Sequence, residues 1–457
     1  MPIFAADKMA AWTGGRWTRI PNGTLSGFTQ DTRQLSAGQV FVALKTDRRD
    51  GHDFIEEARG REASAAIVGR EISASSLPQL VVADPLQAFQ RIAREHRREF
   101  HGLVVGVTGS VGKTSTKDLL AILLGGSPDV LATEGNLNNH LGVPLTLTKL
   151  DPATHRTAVI EAGISDPGDM TPLAEMIEPD HAIVTLVAPA HLEKLRTIEG
   201  VAAEKSVLPA AVRAGGWQVF PASCLAFEAF RVLKNPLVLV PENEGMTKFA
   251  GRGVKFNVFR RPDRTEVTLE GKRRFILRRL SSGMAQNAAL ALALASELGV
   301  GDAVLQTRAT NWQPSKWRGE FRQVGEAAVY CDFYNANPAS MADAIDAFNR
   351  SVAAELPRIY VLGCMEELGA AAADYHQQLG RTMHLRRGDF IFIMGDQAAA
   401  LREGLLENGN DPAQVAVIAD LASTRERLST FKGAVFLKGS RRYRLESVLD
   451  PTPAHAH

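Results

Sequence analysis

The run Thr108-Gly109-Ser110-Val111-Gly112-Lys113-Thr114-Ser115 brings glycines, hydroxyls and one lysine together behind the apolar stretch Leu103 to Val107. A helix-like stretch, Lys113 to Leu124, follows. Such a strand–turn–helix suits a polyphosphate, because glycines let backbone N–H groups approach phosphate oxygens and a helix N-terminus adds positive potential. The Lys113 amine can reach terminal phosphates and the Thr114 hydroxyl can bind Mg²⁺. Gly109, Ser110, Gly112, Lys113, Thr114 and Ser115 are therefore candidate nucleotide contacts. The spacing is not the ordinary one, since the first glycine of the usual pattern would fall at Val107. A second chemical group is Glu161, which closes the apolar run Ala158 to Ile160. A carboxylate at the C-terminal tip of a parallel strand points into the crevice where α/β sheets bind ligands.

These residues require a parallel sheet to position them. Short apolar runs at Leu103–Val107, Ala158–Ile160 and Ala182–Val187 alternate with helical patterns, which predicts such a sheet covered on both faces. Before it, Gln39–Leu44 reads as a strand, Ala65–Val68 as a weaker one, and Leu86–Phe100 as an amphipathic helix. Phe256 to Leu280 alternates in period two and reads as an antiparallel ribbon. Beyond Trp317 the α/β rhythm restarts, with Val329–Cys331, Ile359–Leu362, Phe390–Ile393, Val415–Ile418 and Val435–Leu437 as buried strands. The expected division is 1–98, 99–315 and 316–457, the second a P-loop domain and the third Rossmann-like.

Composition narrows the function class. A chain of 457 residues is too long for one core, and 45% hydrophobic with 23% charged residues is ordinary for a soluble protein. Lys plus Arg total 52 and Asp plus Glu 51, so no global field is available to grip nucleic acid or an anionic membrane. The basic stretch Lys272–Arg279 lacks interleaved aromatics and reads as a solvated face. Cys224, Cys331 and Cys364 lie far apart and form no zinc spacing. The beginning shows no secretory pattern, and the most apolar helical stretch, Ala288–Ala295, is too short to span a bilayer, so the expected compartment is the cytoplasm.

The phosphate loop resembles that of the Mur ligases and folylpolyglutamate synthases, and the motifs in order along the chain resemble the MurF type. That resemblance implies ATP, Mg²⁺ (two ions) and an acyl-phosphate route to an amide bond. It assigns metal-holding roles to Thr114, Glu161, His191 and Lys205, the last as a carbamate, with Lys113, Glu161, His191 and Lys205 as the catalytic set. Asn287 resembles an adenine-side residue, although the family's preceding Gly-x-His-Asn is Ser281-Ser-Gly283-Met284 here. Arg318 resembles a linker arginine that reaches ATP on domain closure, and Asp332 a group touching ATP or its metal.

Three further segments carry the MurF-type likeness. Gly135-Asn136-Leu-Asn138-Asn139 resembles the substrate-facing loop. Asp332-Phe-Tyr334-Asn335-Ala-Asn337-Pro338 resembles a dipeptide pocket, and Leu437-Lys438-Gly-Ser a further substrate contact. In Leu362-Gly-Cys364-Met-Glu-Glu367, Cys364 stands where the type has Asp. In the first domain, Asp31-Thr32-Arg33 and Asp50-Gly-His52 resemble segments holding UDP. The implied reaction joins D-alanyl-D-alanine to a UDP-muramoyl peptide, in a monomer with no nucleic-acid partner. A sibling ligase using another amine, and a nucleotide-binding scaffold without catalysis, are the rivals that the changes at Cys364 and Gly283 leave open.

Overall fold

The computed structural model describes residues 2–245 and 249–449. It is an α/β protein with three sheets laid out in succession along the chain. The first has five strands between Arg16 and Val81, mostly parallel, with Arg16–Trp17 antiparallel at one edge. Val40–Val42 and Ala65–Val68 form here as expected, every residue buried. The helix Pro85–Glu99 follows. Asp84 caps it by accepting from the N–H groups of Leu86 and Gln87, and Pro85 takes the first-turn position where no amide proton is needed.

That helix is bound to the second sheet's body through its last turn. The guanidinium of Arg97, fully buried, donates to the carbonyls of Ile177 (2.9 Å), Phe100 (3.0 Å) and Glu178 (2.8 Å) and lies 3.3 Å from Asp180. The His96 ring bonds the Leu150 carbonyl at 2.7 Å.

The second sheet has nine strands. Leu103–Thr108 runs in its interior between Thr157–Glu161 and His181–Val184, all parallel. Val104, Val105 and Val107 are wholly buried, as expected of a strand covered on both faces. The helix Lys113–Leu124 packs through Leu119, Leu120 and Leu123 against Ser282–Glu297, whose run Ala288–Ala295 is buried throughout. A helix apolar on all sides is a core helix. Among the described residues no helix is long and apolar enough to cross a membrane.

One expectation needs correction and another is extended. The run Ala182–Val187 leaves the sheet after Val184, because the backbone from Thr185 onward turns to bond the phosphate loop. The Phe256–Leu280 ribbon is antiparallel as expected. Its first strand, Arg252–Arg260, pairs in parallel with Pro236–Pro241 before turning antiparallel, so the ribbon extends the sheet.

The third sheet has six strands. Ala327–Cys331, Ala434–Lys438, Arg358–Gly363, Phe390–Met394 and Val415–Val417 are parallel neighbours, and Glu320–Val324, not foreseen, adds an antiparallel edge. The strand expected to be buried at Val415–Ile418 is buried only at Val415, since it lies at the far edge and Val417 is 52% exposed.

Candidate active site

Adjacent strand tips create the site. Leu103–Thr108 delivers the glycine loop, Thr157–Glu161 delivers Glu161, and the segment after Val184 delivers His191. Facing them, neighbouring strands of the third sheet end at Cys331 and Lys438. Between the two sets of tips lies a cleft of about 300 Å³. Ser110, Gly112, Lys113, Thr114, Ser115, Asn138, Asn139, Glu161, His191 and Asn287 line one side. Arg318, Asp332, Tyr334, Asn335, Asn337 and Lys438 line the other. Gly109 shapes the loop without lining the cleft, and Asn136 reaches it through a hydrogen bond with Tyr334.

The loop is held in an anion-ready shape by its neighbours. Thr185 donates its hydroxyl to the Val111 carbonyl at 2.6 Å, the Ser110 N–H donates to the Leu186 carbonyl at 2.8 Å, and the Ser110 hydroxyl donates to the Ala188 carbonyl at 2.9 Å. Gly109 has φ +143°, and a Cβ there would stand 1.9 Å from Thr185 Oγ1 and 2.9 Å from the Thr185 backbone nitrogen. The missing first glycine at Val107 is thus no defect, because Gly109 supplies the turn. Gly109→Ala is expected to lose about 1–3 kcal/mol of stability from backbone strain alone, and nucleotide binding with it. Denaturant unfolding and nucleotide titration check both.

Lys113 donates to the Gly109 carbonyl at 3.0 Å, and desolvation pushes its amine below the usual lysine range while Glu161 pulls it back. Arg318 places Nη2 3.0 Å from Thr114 Oγ1 and stacks its guanidinium over the Tyr334 ring at 4.1 Å. Asn337 caps the helix Pro338–Ser351 and donates to the Ser110 carbonyl at 3.3 Å. Lys438 donates to Asp332 Oδ2 at 2.8 Å and to the Asn335 carbonyl at 3.2 Å, which neutralises both charges while fixing the loop between them.

Glu161 is 1% exposed. Its Oε1 accepts from Asn138 Nδ2 at 2.7 Å, and its Oε2, also buried, has no hydrogen-bond partner. An unpaired buried carboxylate oxygen is costly, and beside a phosphate loop it fits Mg²⁺, which takes hard oxygen ligands. Among the described residues no three His, Cys, Asp or Glu side chains converge into a metal cluster. The fitting set is mixed: Glu161, the Thr114 hydroxyl and phosphate oxygens. His191 adopts φ +55° and pairs its Nδ1 with Glu367 of the third sheet's body.

Lys205, in the helix Ile198–Ala210, is 1% exposed and does not line the cleft. Burial, and then the nearby Lys113 charge, drive its amine well below the usual lysine range. Cys364 is buried outside the cleft lining, and burial pushes its thiol up to about 11.

The remaining sequence candidates lie in the first sheet's body, apart from this cleft. Asp31 accepts from Arg33 Nε and Nη2 at 2.9 and 2.7 Å, in a pair whose arginine is 72% exposed, with Thr32 buried between them. His52 is buried, its Nδ1 2.6 Å from Asp50 Oδ1 and its Nε2 accepting the Gly69 N–H at 2.9 Å. Both ring nitrogens are thus engaged within the protein, and the bonds from His52 hold the Asp50 carboxyl well below the usual range. Sequence reasoning gave no role to Thr185, Glu367 or Asp343. Asp343 was traceable, since Ser340, Asp343 and Ala344 share a helix face by i, i+3, i+4 spacing and all line the cleft.

A phosphate loop inside one parallel sheet, closed over by the strand tips of another, defines a multidomain nucleotide-using enzyme. Known domain families match on both sides of the cleft: the Mur ligase middle domain over residues 107–295 and the Mur ligase, glutamate ligase domain over 317–441. The UDP-N-acetylmuramoyl-tripeptide–D-alanyl-D-alanine ligase of Escherichia coli (strain K12) is 31% identical, with 96% of this chain and 98% of that protein covered. That of Bacillus subtilis (strain 168) is 29% identical, covering 93% and 92%. Among solved structures, MurF from Acinetobacter baumannii has a TM-score of 0.86 at 26% identity over 99% of each chain. MurF ligase from Thermotoga maritima in complex with ADP has a TM-score of 0.79 at 27% identity, covering 93% and 96%. The chain belongs to the Mur ligase family.

Proposed function

We propose that this protein is the ATP-dependent ligase that joins D-alanyl-D-alanine to a UDP-N-acetylmuramoyl-tripeptide in cytoplasmic peptidoglycan precursor synthesis. The observation that carries the reading is one cleft holding the phosphate loop, the half-satisfied Glu161 and the Asp332–Asn337 motif together. The named relatives, aligned over nearly the whole chain, support the same choice of substrates.

Residues 1–98 hold the UDP end through Asp31, Thr32, Arg33, Asp50 and His52. Of these, Arg33 is the direct contact, because it alone presents exposed donors, whereas Asp50 and His52 shape the loop beneath. Residues 99–315 hold ATP on Gly109–Ser115, with Asn287 alongside. Residues 316–457 bring Arg318 and Asp332 to the nucleotide and Tyr334, Asn335, Asn337 and Lys438 to the dipeptide, while Asn136, Asn138 and Asn139 face the acceptor peptide. The reading takes the working unit as a monomer.

Magnesium, two ions held by Thr114, Glu161, His191 and a carbamylated Lys205, would neutralise phosphate charge at the reacting end. The acceptor carboxylate attacks the γ-phosphorus, ADP leaves and an acyl phosphate forms. The dipeptide amine then attacks the acyl carbon, loses a proton, and inorganic phosphate leaves. Lys113 and Arg318 stabilise the charge on the transferring phosphoryl group. Closure of the third domain over the loop keeps water from the acyl phosphate.

Phosphate release measured over combinations of substrates tests the assignment. Full turnover is expected only with ATP, Mg²⁺, the UDP-tripeptide and the dipeptide together. Equal turnover with glutamate or single amino acids would overturn the choice of amine, and no turnover with any amine would favour a scaffold.

A further inference from the structure

We infer that the Asp343 carboxylate accepts a hydrogen bond from the nucleoside end of the bound nucleotide and so reads which nucleoside is there. This rests on the ATP-binding reading of the cleft.

Three carboxylates line the cleft: Glu161, Asp332 and Asp343. Glu161 is matched by Asn138 and fits a metal ion, and Asp332 is matched by Lys438. Asp343 has no ion-pair partner within 4 Å among the described residues. Its Oδ1 accepts the Gly283 N–H at 2.9 Å, and the Ser281 hydroxyl also bonds it. Burial and the Asp332 charge raise its carboxyl above the ordinary value, with Lys438 acting only through space.

Its position is set by one helix face. A Cβ on Gly112 would stand 1.9 Å from Asn287 Nδ2, so Asn287 packs directly on the phosphate loop. Gly283 lies four residues earlier in the same helix, on the same face and about 6 Å along the axis. Lys113, Thr114 and Glu161 mark the reacting end of the phosphate chain. A nucleotide anchored there extends its nucleoside along the Asn287–Gly283 wall toward Asp343.

Gly283 is also what admits the carboxylate, because a Cβ there would stand 2.8 Å from Asp343 Oδ2. The departure at Ser281–Met284 and the acid at 343 are therefore complementary. The Gly283 N–H and the Ser281 hydroxyl leave acceptor positions on the two Asp343 oxygens free, and beside a polyphosphate these suit a further neutral donor. The nucleoside offers two kinds: the exocyclic amine of adenine and the ribose hydroxyls.

Equilibrium binding of ATP, inosine triphosphate and 2′-deoxy-ATP, each with Mg²⁺, to the full chain, Asp343→Ala and Asp343→Asn tests this. The asparagine variant keeps an acceptor for the Gly283 N–H, so it preserves the contact between the two bodies. The unaltered protein should prefer ATP over one analogue by about tenfold, the worth of one charge-assisted bond. Asp343→Ala should flatten that ratio. If the partner is the base, Asp343→Asn should also gain inosine triphosphate affinity relative to ATP, because the amide donates where the carboxylate accepted. If the partner is the ribose, the 2′-deoxy-ATP ratio flattens instead. Equal binding of all three by the unaltered protein would overturn the inference. So would ratios that survive in both variants while affinities fall in parallel, since Asp343 would then only join two domains. Absence of any ATP binding would overturn the ligase reading along with it.

Discussion

Replacing Lys113 with alanine is expected to lower kcat by about 10²–10³-fold, the usual cost of losing one preorganised contact to transition-state charge. The effect should fall on kcat more than on fold stability. The Lys113 side chain makes one hydrogen bond to its own loop, while desolvation disfavours its charge. At present Glu161 is the anion acting on Lys113, and a γ-phosphoryl group held between Lys113 and Arg318 would add a second. Charge in phosphoryl transfer spreads over the equatorial oxygens, so a cation fixed beside them helps most at the transition state. Steady-state phosphate release, run beside thermal unfolding of the variant, separates the two effects. Near-normal turnover would remove Lys113 from the chemistry.

Lys205→Ala is expected to lose roughly 10–100-fold in activity or metal affinity, the range for groups that support a bound metal. The side chain is 1% exposed and its amine is driven toward the neutral form by burial and by Lys113. A neutral amine reacts with CO₂, and the carbamate so formed is an anion able to share a divalent ion. Acetate should restore part of the activity to Lys205→Ala, and stripping CO₂ from the buffer should lower that of the unaltered enzyme. Lys205→Met provides the control. It fills the same space without charge, so it should fold at least as well and still be impaired. A bare amine at Lys205 in a metal-loaded, nucleotide-bound structure would refute the carbamate.

Much of the scaffold was legible because its signals are local. The run Leu103–Val107 ahead of Gly109–Lys113 announces a strand, a turn and a helix, and each forms where expected. Motif order also pointed to the opposed partners of the cleft, from Glu161 to Lys438. The parts that were not legible depend on contacts distant in sequence. Val184 ends its strand early because Thr185 and Leu186 bond a loop some 75 residues before them. Glu320–Val324 reads poorly as a strand, since as an edge it is only half buried and its register comes wholly from Ala327–Cys331. His52 looks like a ligand contact in a list of residues. Only the fold shows that the Gly69 N–H occupies its Nε2.

The two seams between the three bodies differ in kind. Arg97 spends its guanidinium on backbone carbonyls deep inside the protein, so prising the first body away would strand a charge and three acceptors together. The third body is tied by Asn337, Arg318 and Asp343 to Ser110, Thr114 and Gly283, which are walls of the nucleotide cleft. The first seam is therefore insulated from any ligand, whereas part of the second is built from groups that line the cleft. Other fastenings of the third body lie away from that cleft, where Arg260 pairs with Asp346 at 2.9 Å and the Glu193 N–H donates to the Glu367 carbonyl at 3.1 Å. Occupying the cleft would exchange some of these ties for contacts to the nucleotide and leave the others in place.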